Sequence, residues 1–276
     1  MKKFTEEQTK KFYNTEDAVY RSFWDKDGNC HYGYFSSDNV AFDKAMVALN
    51  NKMLTFSTIN NTSTVLDLGC GNGNNSFFIH ERKHAKVTGI DLSDIRIRNA
   101  MEVLITKCKS TKNKMAFFQS SAERLKFKAN SFSHVWSQAC IYHIHNKIKA
   151  FKEVYRVIKK GGIFILDDLI KPNRTISCQA EKLIYERLLF NTKYNLVLYQ
   201  QALEKIGFRI LYAEDMSRHY ALSYWKLADI LEGKIQRKEE RQYHAIYKKL
   251  IYAYRKTWKF MEKGEIGWAL FVCRKV

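Results

Sequence analysis

The sequence predicts an α/β domain built on a parallel sheet with helices on both faces. Two observations carry the prediction. Between Thr64 and Leu166 short apolar runs alternate with helix-period segments, and the first run ends in the glycine cluster Gly69-Cys70-Gly71-Asn72-Gly73. Strands alternating with helices belong to a parallel sheet, because a parallel neighbour is reached only through a crossover. A third observation sets the size. The 276 residues, 46% hydrophobic and 14% aromatic, can bury a large core and are not a disordered chain.

The elements follow in order. Phe4 to Asn60 reads as helices around a turn-rich centre, Phe23 to Phe35, where aromatics crowd about Gly28 and Gly33. That centre is a packed loop or a lid closing over a ligand. Val65 to Leu68 is a short strand, Asn74 to Arg82 a helix, and Lys86 to Asp91 a second strand. Ser93 to Cys108 suits a helix with Ser93 as N-cap. Lys114 to Phe118 and His134 to Ser137 are the third and fourth strands. Asn146 to Lys160 is a helix with Ile148, Phe151, Val154, Tyr155 and Ile158 on one side, stopped by Gly161-Gly162, and Ile163 to Leu166 is the fifth strand. Beyond Asp168 the alternation stops. Ile176 to Leu189 and Leu198 to Ile206 read as helical, Gly207 to Tyr212 as a strand, the stretch to about Lys263 as a long helical region, and Trp268 to Val272 as a closing strand.

Charge and cysteine usage narrow the partners. Forty-seven basic against twenty-eight acidic residues give +19, spread as zero over 1–60, +9 over 61–170, +2 over 171–232 and +8 over 233–276. Lysine supplies most of it, which reads as compositional bias, so nucleic acid ranks below a small molecule as partner. The last helix sets Tyr243, Tyr247, Leu250, Tyr254 and Trp258 at helical spacing, with ten basic residues between Lys234 and Lys263. Such a face is core against solvent, or it suits a peripheral membrane surface or RNA. The six cysteines form no C-x-x-C pair, as in a reducing cytosol, and no apolar run approaches the ~18 residues of a membrane span. The expectation is a cytoplasmic protein with no transmembrane segment and no metal site.

The residues that carry chemistry are Val65-Leu66-Asp67-Leu68-Gly69-Cys70-Gly71-Asn72-Gly73, followed by Gly89-Ile90-Asp91. Glycines at the end of a first parallel strand let a ligand approach the backbone at the carboxyl edge of the sheet. An acid ending the second strand can accept hydrogen bonds from both ribose hydroxyls. The spacing is G-x-G-x-G, not the G-x-G-x-x-G of a dinucleotide site, and Asp67 inside the strand suits a ligand carrying an ammonium group.

Over residues 64 to 170 this chain resembles the class I S-adenosylmethionine-dependent methyltransferases. The resemblance implies a Rossmann-like seven-stranded methyltransferase sheet with helices on both faces. An aromatic N-terminal cap would span 1–60, the S-adenosylmethionine-binding core 61–170, and the rest of the core with a helical insertion before the last strand 171–276. It further implies that Gly69, Cys70, Gly71 and Gly73 admit the methionine part of the donor, with Asp67 near its amino group. Asp91 would take the ribose and Leu92 lie along the adenine. In the third motif, Ser120-Ser121-Ala122-Glu123, Ser121 stands where the family usually has an acid, which leaves adenine recognition to Ser121, Ala122 and Glu123.

A narrower resemblance, to the sarcosine/dimethylglycine and phosphoethanolamine N-methyltransferases, runs through Trp136-Ser137-Gln138-Ala139-Cys140-Ile141-Tyr142-His143. It continues in Tyr20, Trp24, His31-Tyr32-Gly33-Tyr34 and the ending Gly264 to Trp268. Gln138 joins the donor-site candidates on this basis. His143 is the first candidate base, because imidazole titrates in the useful range. Tyr20 and Tyr32 are lesser catalytic candidates, and Trp24 could stack on a cation. Ala139 departs from the acid that those enzymes commonly carry four residues before the histidine. The expected activity is N-methylation of an amine or amino acid such as sarcosine or dimethylglycine. The alternatives are C- or O-methylation of an isoprenoid, quinone or other lipid-like metabolite, which the Ala139 departure favours, then RNA methylation, then a non-enzymatic donor-fold protein.

Overall fold

Five strands run parallel as the alternation requires: β1 (Thr64–Leu68), β2 (Lys86–Asp91), β3 (Met115–Gln119), β4 (Phe132–Gln138) and β5 (Ile158–Ile170). The computed structural model describes residues 3–25, 30–107, 114–172, 174–191 and 193–276. Two later strands, β6 (Phe208–Asp215) and β7 (Gly267–Lys275), complete a seven-stranded sheet of order β3-β2-β1-β4-β5-β7-β6, with β7 antiparallel to both neighbours. The strand order reverses between β1 and β4, which opens a crevice at their carboxyl ends.

Helices α1 (Glu6–Phe23), α2 (Phe42–Ser57), α3 (Asn74–Lys83), α4 (Asp94–Lys107), α5 (Lys147–Val157), a short α6 (Cys178–Ala180), α7 (Leu196–Ile206), α8 (Ser217–Gln236) and α9 (His244–Glu262) surround the sheet. Both faces are buried, so strand side chains alternate between two cores. Val65, Ile163, Ile165, Leu270 and Val272 pack toward α2 and α8, while Leu66, Phe164, Leu166, Ala269 and Phe271 pack toward α5 and α7. Among the described residues no helix is long and apolar enough to cross a membrane.

Most elements stand where the sequence puts them, including Ser93, whose Oγ accepts from the Arg96 amide at 3.1 Å as the N-cap of α4. Three differ. The helix expected to reach Lys160 ends at Val157, and Ile158 to Lys160 already belong to β5. Gly161 and Gly162 therefore do not stop a helix. Gly161, at φ +76°, belongs to a register shift in the strand, and a Cβ on Gly162 would lie 2.6 Å from the Ser133 carbonyl oxygen. The helix expected over Ile176 to Leu189 is one α-turn running into a π-helical turn, Glu181–Glu186. The long helical region breaks between Gln236 and His244, where Lys238 and Glu240 take positive φ, and α9 folds back on α8. On α9 the apolar face buries Tyr247 and Tyr254 but leaves Ile246 exposed. Lys26–Asn29 of the aromatic centre and Cys108 lie outside the described residues.

Candidate active site

The turn after β1 is dictated by its glycines. Gly69, Gly71 and Gly73 have φ of +78°, +54° and +85°, a region that side-chain-bearing residues enter at a cost. The amides of Gly69 and Cys70 both donate to the Ile90 carbonyl, which ties the turn to β2. A Cβ on Gly69 would fall 2.2 Å from Cys140 Sγ, so the segment after β4 is seated directly on this glycine. Gly73 serves differently from its neighbours. It begins α3, where a Cβ would meet Phe117 at 2.9 Å, and it lies off the cavity wall.

Between this turn, the ends of β2 and β4, and α1 lies a cavity with about 960 Å³ of empty space, counted out to its open mouth. Gly69, Cys70, Gly71, Asp91, Leu92, Ala122, Gln138 and His143 from the sequence reading all line it. Asp91 accepts from the Gly71 amide at 2.9 Å and the Ser93 amide at 2.8 Å, so it organises the turn as well as facing the cavity. Burial raises its pKa. Gln138 is anchored by the Trp136 indole N–H, which donates to its Oε1 at 3.0 Å.

Besides Gly73, three expected donor-site residues stand off the cavity wall. Asp67 is buried behind the turn, accepting from Ser76 Oγ at 2.6 Å, and burial pushes its carboxyl up to about 7. Ser121 donates to Glu6 of α1 at the surface, whereas its neighbour Ser120 lines the cavity with a buried hydroxyl that has no partner among the described residues. Glu123 turns to α5, accepting from the Asn146 amide at 3.0 Å.

His143 sits in a 3₁₀ turn, Ile141–His143, on the cavity wall. Its Nδ1 is 3.3 Å from the Leu189 carbonyl, and a carbonyl only accepts, so Nδ1 carries the hydrogen. Nε2 then accepts from the Tyr13 hydroxyl at 2.6 Å. Burial pulls the imidazole pKa down to about 3, which keeps the ring neutral. The turn is held by Lys147, whose Nζ donates to the Tyr142 and Ile144 carbonyls at 3.2 and 2.8 Å, and by Asp168, which accepts from the Tyr142 amide.

Sequence reasoning missed Tyr13, Arg96 and Ser120. Tyr13 lines the cavity beneath the Arg96 guanidinium, 4.2 Å from its ring centroid. Arg96 in turn donates from Nε to Asp17 Oδ1 at 3.1 Å, a buried pair that docks α1 on α4. Its place in the first turn of α4, five residues after Asp91, was a usable signal, since that turn faces the carboxyl edge of the sheet. Tyr20 and Tyr32, the expected tyrosines, are off the cavity wall in an aromatic cluster with Trp24, Tyr224 and Trp268.

That cluster encloses a cation. The Arg187 guanidinium lies over the Tyr224 and Tyr254 rings at 5.4 and 5.2 Å, and Nε donates to the Leu183 carbonyl. No carboxylate pairs with it among the described residues, and its neighbouring ionisable groups are tyrosines. Nη2 donates to the Tyr224 hydroxyl at 3.4 Å, while Nη1 and the hydroxyls of Tyr220 and Tyr254 are buried without hydrogen-bond partners among the described residues.

The cavity fits a nucleoside carrying an amino-acid tail. It has an acid at the end of β2, an unpartnered Ser120 hydroxyl beyond it, and a glycine turn open to close approach. A family model described as a methyltransferase domain matches residues 66–166. The chain is 23% identical over its whole length to 27-O-demethylrifamycin SV methyltransferase of Amycolatopsis mediterranei, covering 99% of that protein. It is 25% identical over 98% of its length to sarcosine/dimethylglycine N-methyltransferase of Halorhodospira halochloris, covering 96% of it. The cyclopropane synthase MmaA2 of Mycobacterium tuberculosis shares the fold at a TM-score of 0.87, with 16% identity and 99% of each chain covered.

Proposed function

We propose, from the premise that this chain is a class I S-adenosylmethionine-dependent methyltransferase, that it methylates the amine nitrogen of a small amino acid such as sarcosine or dimethylglycine. One observation carries this reading: among the described residues the half-buried Arg187 has no carboxylate partner, and its buried Nη1 lies among tyrosines of which Tyr220 and Tyr254 have unpartnered hydroxyls. Three hydrogen-bond donors around an uncompensated charge suit an anion, because an isolated buried cation costs several kcal/mol. The acid end of an amino acid would supply it, reaching past the donor cavity, whose wall Arg187, Tyr220 and Tyr254 do not line. The near full-length likeness to a sarcosine/dimethylglycine N-methyltransferase supports the same acceptor.

In this reading the glycine turn receives the methionine part of the donor, Asp91 the ribose, and Leu92, Ser120 and Ala122 the adenine. The amine lone pair forms the new bond to the methyl carbon while the carbon–sulfur bond breaks and its electrons stay on sulfur. Because charge disperses in that displacement, the protein contributes mainly by holding reacting atoms ~3–3.5 Å apart and excluding water. The tertiary amine of dimethylglycine attacks as its free base, so the zwitterion that dominates in water first gives its ammonium proton to solvent, and the transfer itself then releases no proton. The Tyr13–His143 pair then orients the acceptor rather than deprotonating it, in keeping with a histidine pKa of about 3.

Ala139 favours a second reading. It lines the cavity at φ +46° with no acid to hold a cationic amine, which suits O- or C-methylation of a neutral acceptor. Methyl transfer assayed with dimethylglycine, N,N-dimethylethanolamine and a prenyl alcohol separates the two. Turnover of dimethylglycine but not of the amine lacking an acid is the expected result. Turnover of the alcohol alone would overturn N-methylation in favour of the second reading.

A further inference from the structure

His31 is 2% exposed and lines the same cavity. Its Nδ1 lies 2.9 Å from the Tyr32 carbonyl, so Nδ1 carries the ring hydrogen and Nε2 a lone pair. Nε2 has no hydrogen-bond partner among the described residues. His143, the other imidazole on the wall, has both nitrogens engaged. The backbone of His31 is also fixed, since the Trp24 indole N–H donates to its carbonyl at 2.9 Å. A rigid, buried acceptor without a donor is costly unless a bound molecule completes it.

The surroundings identify the end of the cavity involved. The preceding residue, Cys30, accepts from Arg96 Nη2 at 3.7 Å, and Arg96 Nη1 stands 3.5 Å from where a Cβ on Gly71 would be. Through Arg96, His31 therefore belongs to the glycine-turn end of the cavity. The acid expected to meet an amino group there, Asp67, is spent on Ser76 behind the turn.

We propose that His31 Nε2 accepts a hydrogen bond from the α-ammonium of the methyl donor. The inference rests on the glycine turn receiving the methionine end. At that end the carboxylate only accepts and the sulfonium has no hydrogen to give, so the ammonium is the group that complements a lone pair.

The test compares S-adenosylhomocysteine with 5′-methylthioadenosine, which lacks the amino-acid part, on the full chain. In histidine ¹⁵N spectra of the unmodified protein, the His31 Nε2 resonance should move with S-adenosylhomocysteine and stay in place with 5′-methylthioadenosine. His31→Leu should raise the Kd for S-adenosylhomocysteine about tenfold and leave that for 5′-methylthioadenosine within about twofold. His31→Gln, which returns an amide oxygen near the Nε2 position, should restore most of the loss. A resonance indifferent to S-adenosylhomocysteine, or equal weakening of both ligands in His31→Leu, would overturn the proposal. If neither ligand bound the unmodified protein, the donor site itself would fail and the role of His31 with it. The spectra need no variant, so the test survives if His31→Leu does not fold.

Discussion

The Tyr13 hydroxyl donates to His143 Nε2 across 2.6 Å, joining the first helix of the chain to the turn that follows β4. The two residues are 130 positions apart and both line the cavity, so the bond exists only when α1 is seated. Since the pair acts as one unit, its two halves should not add. Tyr13→Phe and His143→Ala are each expected to lower kcat by about 10- to 100-fold, with the Kd for S-adenosylhomocysteine changed less. The double variant should be little worse than either single one. Steady-state kinetics on the three proteins checks this, and additive losses would separate the two residues.

The seat of Cys140 on Gly69 gives a steric prediction. An added Cβ at Gly69 falls 2.2 Å from Cys140 Sγ and 2.6 Å from its Cβ, whereas at Gly71 it meets only Arg96 Nη1 at 3.5 Å. Both glycines need positive φ, so both alanine variants bear a backbone penalty of roughly 1–2 kcal/mol. Gly69→Ala should therefore lose more stability than Gly71→Ala. Adding Cys140→Gly should recover part of that difference and nothing of the Gly71→Ala loss. Denaturant melts of the four proteins decide it.

These sites differ in how far the sequence could reach them. The glycine turn and Asp91 were legible because local geometry dictates them: three left-handed φ values require glycine, and the strand lengths put an acid at the end of β2. Tyr13 was not. Tyr13 and Tyr20 share one stripe of α1, seven residues and so about 10 Å of helix apart. Which of them faces His143 is set by how α1 docks, through Asp17 on Arg96 and Asn14 on Ser93. Ser120 and Ser121 differ by the single residue at which the chain turns away from β3. The Gly161-Gly162 pair misled because a glycine pair can end a helix or bend a strand. The β-bulge opposite Phe132 to His134 is a property of the pairing rather than of the local sequence.

Asp67 yields a pH prediction. Its folded-state pKa, about 7, is raised above the ordinary carboxyl value of 3.8 by burial, so near neutral pH the folded protein holds a proton that the unfolded chain has released. A raised carboxyl contributes stability that is fully present below the unfolded pKa and lost as pH rises through the folded one. Asp67→Asn imitates the neutral acid and keeps an oxygen for Ser76. It should gain stability relative to the parent as pH rises from 5 to 8, by roughly 2–3 kcal/mol. Thermal melts at the two pH values measure this, and a gap that does not widen with pH would mean that Asp67 is ionised when folded.

Arg187 sets stability against function. Its guanidinium lies among tyrosines and has no carboxylate partner among the described residues, with Nη1 unpartnered there. Replacing such a charge by an apolar side chain of similar reach removes its desolvation cost without breaking an ion pair, and that gain offsets the lost hydrogen bonds to Leu183 and Tyr224 and the cation–π contacts. Arg187→Met should therefore melt at or above the temperature of the parent. The same variant should lose most turnover of an acid-bearing acceptor through a raised KM, with S-adenosylhomocysteine binding intact. Arg187→Lys tests whether charge alone suffices. A lysine ammonium is a compact point charge that cannot match a carboxylate with two parallel N–H groups, so partial recovery is expected. Thermal melts, donor titration and acceptor kinetics on the three proteins are read together. Destabilisation of Arg187→Met by several kcal/mol, with acceptor KM unchanged, would make Arg187 a member of the aromatic core and remove the anion site.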